Sequence, residues 1–554
     1  VIETRSSPGV NSVPLLRKSH FDKQGFFPQN RPMSTDHLTL IDLARTAAST
    51  YAEHPAILEA SKTWTFAEVD AASDRIASGL AMEGFVKGDR IGLYCANSAA
   101  FAVTYMGILK AGCTVVPLHL LYHPSELAWI LNDSGAKGFI YLNVFSEPAS
   151  VILGQTPGIE KVFRMGDEEL PEGHLSWMNL MTSTSPIPSP DLIPAEDLAS
   201  ILYTSGTTGR PKGAMLTHRN LAVNTESVRQ AMKLVPGEDR ILVVLPMFHA
   251  FAAMVGLLFP LCHGCALIPV PKFDPTLVAD AVKSFGATVL PAVPSMFQVL
   301  MRLPEEKTAD FASLRFCISG GAAMPVAVMH AFSDRFGKII YEGDGPTECS
   351  PVTCVNPIGG ETRAGSVGFP VPRVEMKILD EEGNEMPTGE IGEICVRAPS
   401  VMKGYWNQPE ETAASFFGDW FRTGDLGQVD ADGYFYIVDR KKDMIIVNGM
   451  NIYPRVVEEV LYTHPELIEA AVIGVHHARS GEIPEAWVVT TEGSSLDTAS
   501  LRAFCLEHLG RHEVPRKFHV VQELPKNANG KINKRELRKA GEAERGVTEG
   551  EGKA

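Results

Sequence analysis

What this chain has little of narrows it first. Nine cysteines in 554 residues, an odd number thinly spread, argue against a disulfide framework and for a reducing, cytoplasmic setting. The lone Cys262-His-Gly-Cys265 has no second ligand pair at zinc spacing nearby, so it reads as two buried thiols around a turn. Positive charge is in deficit: 50 Lys and Arg against 66 Asp and Glu, for a net charge of −16. That balance excludes a general nucleic-acid or anionic-membrane binder. Long apolar runs are missing too. The richest stretch, Ile241 to Val270, is broken by Pro246, His249, Pro260 and His263, and no window reaches the ~20 residues of a membrane-spanning helix. No transmembrane span is expected, which leaves peripheral membrane contact open. Residues 1–32 have no apolar core of signal-peptide length. Rich in Ser, Pro, Asn and Arg, they read as a disordered extension outside the fold.

What is present is ordinary globular composition, 45% apolar and 21% charged. From Leu38 to Val355 short apolar strands alternate with helical stretches, the rhythm of βαβ units and parallel sheets in an α/β fold. Over 365–438 short strands alternate with Gly and Pro turns, which predicts a small antiparallel barrel or sheet. A charged break at Asp439-Arg-Lys-Lys-Asp443 precedes about 100 residues of mixed pattern, read as a separate small α+β domain. The expected organisation is an N-terminal domain over 33–438, a mobile C-terminal domain over 439–541, and a disordered Glu- and Gly-rich tail over 542–554.

The strongest chemical signal is Tyr203-Thr204-Ser205-Gly206-Thr207-Thr208-Gly209-Arg-Pro-Lys212-Gly213, set between an apolar strand and a helix starting near His218. Glycines let a backbone turn its N–H groups onto an anion. Hydroxyls and Lys212 add donors and charge, so the loop reads as a polyphosphate cradle. It is not a Walker A loop, because Gly213 stands where Ser or Thr would follow the lysine.

This loop resembles the phosphate loop of the adenylate-forming superfamily, which includes acyl-CoA synthetases, peptide-synthetase adenylation domains and luciferases. Further segments resemble that family in order: Gly345-Pro-Thr347-Glu348, Phe421-Arg-Thr-Gly-Asp425, Asp439-Arg440-Lys-Lys442-Asp443 through Gly449-Met450-Asn-Ile-Tyr-Pro454, and Pro525-Lys-Asn-Ala-Asn-Gly-Lys531-Ile. The likeness spans roughly residues 38–540 and is nearest to bacterial-type medium- or long-chain fatty-acid–CoA ligases. It implies that a carboxylate attacks the α-phosphate of ATP, giving acyl-AMP and pyrophosphate, and that the thiol of CoA then displaces AMP.

The resemblance also implies roles. Thr204 to Gly209 and Lys212 would hold phosphates, with Gly321 and Gly345 in the nucleotide site. Thr204 and Glu348 would hold Mg²⁺, and Thr347 would donate to the α-phosphate. Asp425 and Arg440 would take the ribose. Lys531 would offset charge developing during adenylation, the domain hinge would fall at Lys442, and Gly449 with Met450 would border the CoA arm. His249, Phe251, Ser319, Gly320 and Gly343 would line the acyl site. His249 either gates the carboxylate or packs as a core histidine. One residue departs from the pattern: Asp344 stands where the family has an aromatic that stacks on adenine. An aryl acid, a carrier-protein acceptor and a nucleotide-binding sensor remain as alternatives. The partners expected are a small carboxylic acid, ATP and CoA, with a monomer or homodimer as the assembly.

Overall fold

Several helix starts are written as reciprocal caps. Thr39 with Asp42, Thr65 with Glu68 and Thr217 with Asn220 each exchange side-chain and backbone hydrogen bonds, satisfying N–H groups that a helix leaves unpaired. They open the helices Leu40–Thr50, Phe66–Met82 and His218–Met232. The computed structural model describes residues 37–166, 169–204, 210–477, 480–526 and 531–551.

Between the helices, apolar runs form two large sheets. The parallel centre of the nine-stranded sheet runs, in spatial order, Pro55–Leu58, Ala266–Pro269, Arg240–Val243, Val289–Ala292, Phe316–Ser319 and Ile340–Asp344. In the eight-stranded sheet, Leu198–Thr204, Thr114–Pro117, Arg90–Tyr94, Gly138–Leu142, Lys161–Met165 and Leu175–Ser176 are parallel neighbours. Lys212–Thr217 and Gly404–Tyr405 extend it antiparallel. Central strands such as Thr114–Pro117 and Val289–Ala292 are buried along their whole length, as expected for sheets covered on both faces.

The strands Leu198–Thr204, Phe316–Ser319 and Ile340–Asp344 end at the residues the motifs single out, so the site lies at strand carboxyl ends. Asn97 fixes the segment leading to His249. Its buried amide donates to the carbonyls of Val243, Leu245 and Val270 at 2.9–3.1 Å and accepts from Met247 N–H at 2.8 Å. Beyond His249 the chain enters a seven-residue π-helix, Ala252–Leu258, buried throughout. Such wide turns recur beside functional sites, and helical periodicity alone does not distinguish them.

The β-rich expectation for 365–438 is met by a five-stranded antiparallel sheet. In it Trp420–Val429 lies between Gly392–Arg397 and Phe435–Arg440. A fourth sheet holds Ile445–Val447, Met450–Ile452, Leu467–His477, Gly481–Thr490 and Lys517–Val521. Helices Pro454–Tyr462 and Thr498–His508 bury Val457, Leu461, Leu501 and Cys505 against it. The stretch from Glu542, expected as a disordered tail, instead continues the helix Lys534–Glu551. That helix starts on an apolar anchor, Leu537, packed with Trp487 and Val475, and residues 552–554 lie outside the described part. The described residues from 37 onward form one compact unit, so the small C-terminal lobe is seated on the large one.

The paired cysteines are buried thiols, Cys262 donating to the Leu40 carbonyl and Cys265 to that of Val235. Among the described residues no trio of His, Cys, Asp or Glu is placed to hold a metal ion. No described helix is long and apolar enough to cross a membrane.

Candidate active site

The predicted phosphate loop meets the structure at its two ends; Ser205 to Gly209 lie outside the described residues. Thr204 closes one strand and Lys212 opens the next, and the two are cross-strand partners. Below the loop, Tyr203 donates to Asp133 at 2.6 Å and meets Trp129 edge to face. Arg210 lies over the same indole, 5.6 Å from a ring centroid. The Lys212 ammonium pairs with Glu411, on the short helix Pro409–Ala414, and faces the ring of Tyr405.

Strand register sets the predicted ribose site. Asp425 lies opposite Arg440, and the two form an ion pair, Arg440 Nε standing 2.6 Å from Asp425 Oδ1. Asp425 is 4% exposed. Burial raises its pKa to about 7, Arg440 opposes that rise, and neighbouring Asp344 adds to it. Asp344 is also raised by burial and held back by Arg440, the Gly345 N–H and Lys531. The predicted ATP residues Asp344, Asp425, Arg440 and Lys531 are therefore electrostatic neighbours, and Glu348 acts on Asp425 and Arg440 as well.

Lys531 reaches this cluster from the C-terminal lobe. It lies against Gly321, where a Cβ would stand 3.3 Å from Nζ and where φ is +78°. The glycine leaves room for the lysine and tolerates the left-handed backbone. Burial and the nearby Arg440 push the Lys531 pKa down to about 8, while Asp344 and Asp425 resist the fall. Gly345 has a different reason to be glycine: a Cβ there would lie 1.6 Å from the Pro351 carbonyl oxygen. Thr347 and Glu348 share a single 3₁₀ turn, Thr347–Cys349. The Glu348 carbonyl accepts from Met402 N–H at 2.7 Å and its Oε1 from the Tyr405 hydroxyl at 2.8 Å.

On the acyl side, His249 is kept neutral. Burial, then Lys531 and His119, lower its pKa to about 3. The Phe251 N–H points at Nδ1 from 3.4 Å, which leaves the proton on Nε2. His119 packs on Phe248 with centroids 4.6 Å apart. A Cβ at Gly320 would stand 3.3 Å from the Phe251 ring, so those two predicted residues touch. Ser319 is wholly buried with its hydroxyl unpartnered. For Gly343 the reason differs from the one expected. Its missing side chain points at the antiparallel neighbour, 2.8 Å from the Cys354 carbonyl and 3.2 Å from Val355. Gly343 therefore makes room for a strand, and a larger residue there would part the sheet before it narrowed a channel.

Lys442 lies in a turn closed by Asp443 N–H and Met444 N–H on the Arg440 carbonyl, at 2.9 and 3.2 Å. Gly449 follows Asn448 in a two-residue hairpin joining Ile445–Val447 to Met450–Ile452. Both residues have positive φ, 51° and 83°, the Asn-Gly signature of a type I′ turn. Met450, beside it, is 44% exposed.

Tyr405, Glu411, His119, Glu342 and Arg455 belong to none of the sequence motifs. Glu342 is 2% exposed, accepts from Met324 N–H at 2.9 Å and leaves Oε2 unpartnered. Burial raises its pKa to about 7, opposed by Arg455, whose guanidinium stands 3.8 Å away. Their place near the site comes from contacts distant in sequence, although Arg455 directly follows Pro454, the end of one motif.

The AMP-binding enzyme family matches residues 44–406, and the AMP-binding enzyme C-terminal domain matches 456–531. The chain is 36% identical over 531 residues to a long-chain-fatty-acid–CoA ligase of Escherichia coli, covering 90% of this chain and 94% of that protein. It is 38% identical over 477 residues to a feruloyl-CoA synthase of Amycolatopsis, covering 86% and 93%. ATP-bound MatB of Rhodopseudomonas palustris superposes with a TM-score of 0.83 at 32% identity, over 90% of this chain and 98% of that one. Apo MatB gives 0.73. With both family regions matched, the chain belongs to the AMP-binding enzyme family, in the acyl-CoA synthetase branch of the adenylate-forming superfamily.

Proposed function

We propose that this AMP-forming acid–CoA ligase activates a medium- or long-chain fatty acid. The observation that carries the site reading is the meeting of Lys531, from the C-terminal lobe, with Gly321, Asp344 and Asp425 of the large lobe and with Arg440, at the end of strand Phe435–Arg440 where the lobes join. Phosphoryl chemistry asks mainly for positioning and charge stabilisation. In this reading Lys212 and the glycine loop hold the β- and γ-phosphates. Asp425, kept in place by Arg440, accepts from the ribose hydroxyls. Thr347 donates to the α-phosphate, and the Lys531 ammonium offsets charge as the carboxylate attacks. Neutral His249 donates from Nε2 to the carboxylate and so orients it.

Mg²⁺ fits the residues: the Glu348 carboxylate, of which the Tyr405 hydroxyl takes only Oε1, suits a cation that takes one or two protein oxygens and completes its shell with phosphate and water. Bound there, it would neutralise phosphate charge. The C-terminal lobe then turns about Lys442, withdraws Lys531, and brings the Asn448–Gly449 turn towards the CoA arm. Asp344, in place of a stacking aromatic, accepts from the adenine amino group.

The fatty-acid reading rests on the apolar stretch after His249, which holds no Lys or Arg for a second carboxylate, and on the likeness to long-chain ligases. The feruloyl-CoA synthase likeness favours an aryl acid as the second reading. Acid-dependent pyrophosphate release followed by CoA consumption, screened over acids of graded length and over ferulate, tests both. Each buried methylene contributes ~0.8 kcal/mol, so selectivity climbs with chain length if the first reading holds. Preference for ferulate would replace it with the second. Pyrophosphate release without CoA consumption would indicate a carrier-protein acceptor, and no release at all a nucleotide-binding sensor.

A further inference from the structure

Lys212 and Glu348 come from distant parts of the chain, and one side chain joins them. Tyr405 belongs to the short strand Gly404–Tyr405, where it lies opposite Ala214, two residues from Lys212. The backbone is braced around it. Lys403 N–H donates to Met215 O at 2.9 Å, Trp406 N–H to Gly213 O at 2.8 Å, and Tyr405 N–H to Thr412 Oγ1 at 2.8 Å. From this fixed position the ring faces the Lys212 ammonium, 5.3 Å from its centroid, and the hydroxyl donates to Glu348 Oε1 at 2.8 Å. Tyr405 is 8% exposed. Facing a carboxylate, which can only accept, its hydroxyl is the donor.

We propose that Tyr405 is a positioning residue for the metal–triphosphate complex. It commits one oxygen of Glu348 to itself and leaves Oε2 as the ligating atom. Its ring meanwhile holds the Lys212 ammonium on the same side. The proposal rests on the reading of Glu348 as the metal carboxylate. A carboxylate with two free oxygens turns about its last bond and offers either, whereas a hydrogen-bonded partner fixes its orientation. Mg²⁺ demands near-octahedral directions, so that fixing bears on metal affinity directly. An aromatic face attracts an ammonium without neutralising it, so Lys212 keeps its charge for phosphate. Glu411, which also pairs with Lys212, supplies a counter-charge that a phosphate group can replace.

The test separates hydroxyl from ring. Tyr405→Phe removes only the hydroxyl, and Tyr405→Leu removes both. Mn²⁺ binding to the enzyme with a non-hydrolysable ATP analogue is read by electron paramagnetic resonance, and analogue binding without metal by calorimetry. Tyr405→Phe is expected to weaken Mn²⁺ binding by ~10–100-fold and to leave metal-free nucleotide affinity unchanged. Tyr405→Leu is expected to weaken both. Glu348→Gln serves as the reference. If it weakens Mn²⁺ binding while Tyr405→Phe matches the parent, the proposal is overturned and the site reading stands. If neither variant changes Mn²⁺ binding, Glu348 is not the metal carboxylate, and the proposal falls with that reading.

Discussion

The two sides of the site are held in different ways. On the nucleotide side Asp425 and Arg440 are paired by strand register, and Tyr405 ties Glu348 to the strand carrying Lys212. The opposite side is brought by the C-terminal lobe, whose Arg455 is anchored beside the hinge on the Asp439 carboxylate and the Ile437 carbonyl, and several of whose other polar contacts with the large lobe are long. Arg455 stands 3.8 Å from Glu342, Val326 N–H 3.5 Å from Glu459, and Gln298 3.4 Å from the Ile468 carbonyl. These distances lie at or beyond the weak end of hydrogen bonding, whereas a ladder shares its load over many bonds. The contrast favours a division of labour in which the nucleotide seat stays fixed and Lys531 is the removable part.

The largest expected effect breaks the contrast at its movable side. Lys531→Ala should lower adenylation by ~10²–10³-fold, the cost of losing one preorganised stabiliser of transition-state charge. It should spare thioester formation when acyl-adenylate is supplied. Equal loss in both half-reactions of a folded variant would remove the division of labour. The parent should also lose adenylation as pH rises through about 8, because the ammonium gives up its proton there. A kcat/KM profile in which Lys531→Arg keeps activity to higher pH would support that assignment. Next in size, Lys442→Pro fixes one backbone torsion of the Arg440–Met444 turn. It should harm thioester formation more than pyrophosphate release, and the reverse order would place the pivot elsewhere.

Smaller effects sharpen the comparison from the fixed side. Asp344→Tyr should weaken ATP roughly fivefold if the carboxylate accepts from the adenine amino group, the equivalent of ~1 kcal/mol, and should narrow the preference over GTP. Tighter ATP binding in a fluorescence titration would mean that stacking outweighs that hydrogen bond. The smallest effect concerns stability. Buried Glu342 has its pKa raised to about 7 from an ordinary 4.5, so the folded state holds a proton that the unfolded chain releases. Its contribution is present below about 4.5 and is lost as pH rises through 7. Glu342→Gln should flatten the fall of Tm across that window, and an unchanged slope would contradict it.

Much of this was legible along the chain, and what escaped was non-local. The cradle from Tyr203 to Gly213, Glu348, Asp425 and Lys531 stand out because their chemical types are clustered and ordered in sequence. The antiparallel texture of 365–438 followed from turn residues. Tyr405 carries no local sign of its role, because Glu348 is 57 residues away and meets it only through sheet pairing. The π-helix after Phe251 shares the apolar pattern of an ordinary helix. Gly343 looked like a channel wall by size, yet its direction depends on which strand lies beside it. The helix through 542–551 was missed because Gly and Glu dominate its composition, while its anchor at Leu537 lies upstream.

Two motif glycines would age differently under mutation. At Gly449 an added methyl meets open space, and the cost is torsional, from a φ of +83°. At Gly345 the methyl would overlap the Pro351 carbonyl, and no rotamer can relieve a clash that begins at Cβ. In a saturation scan selected only for folded protein, position 345 should already be depleted of every substitution, and 449 should keep Asn and Asp, which tolerate left-handed backbone. Invariance at 345 across relatives would then record steric exclusion in the scaffold, and would say nothing about whether a given relative still binds nucleotide.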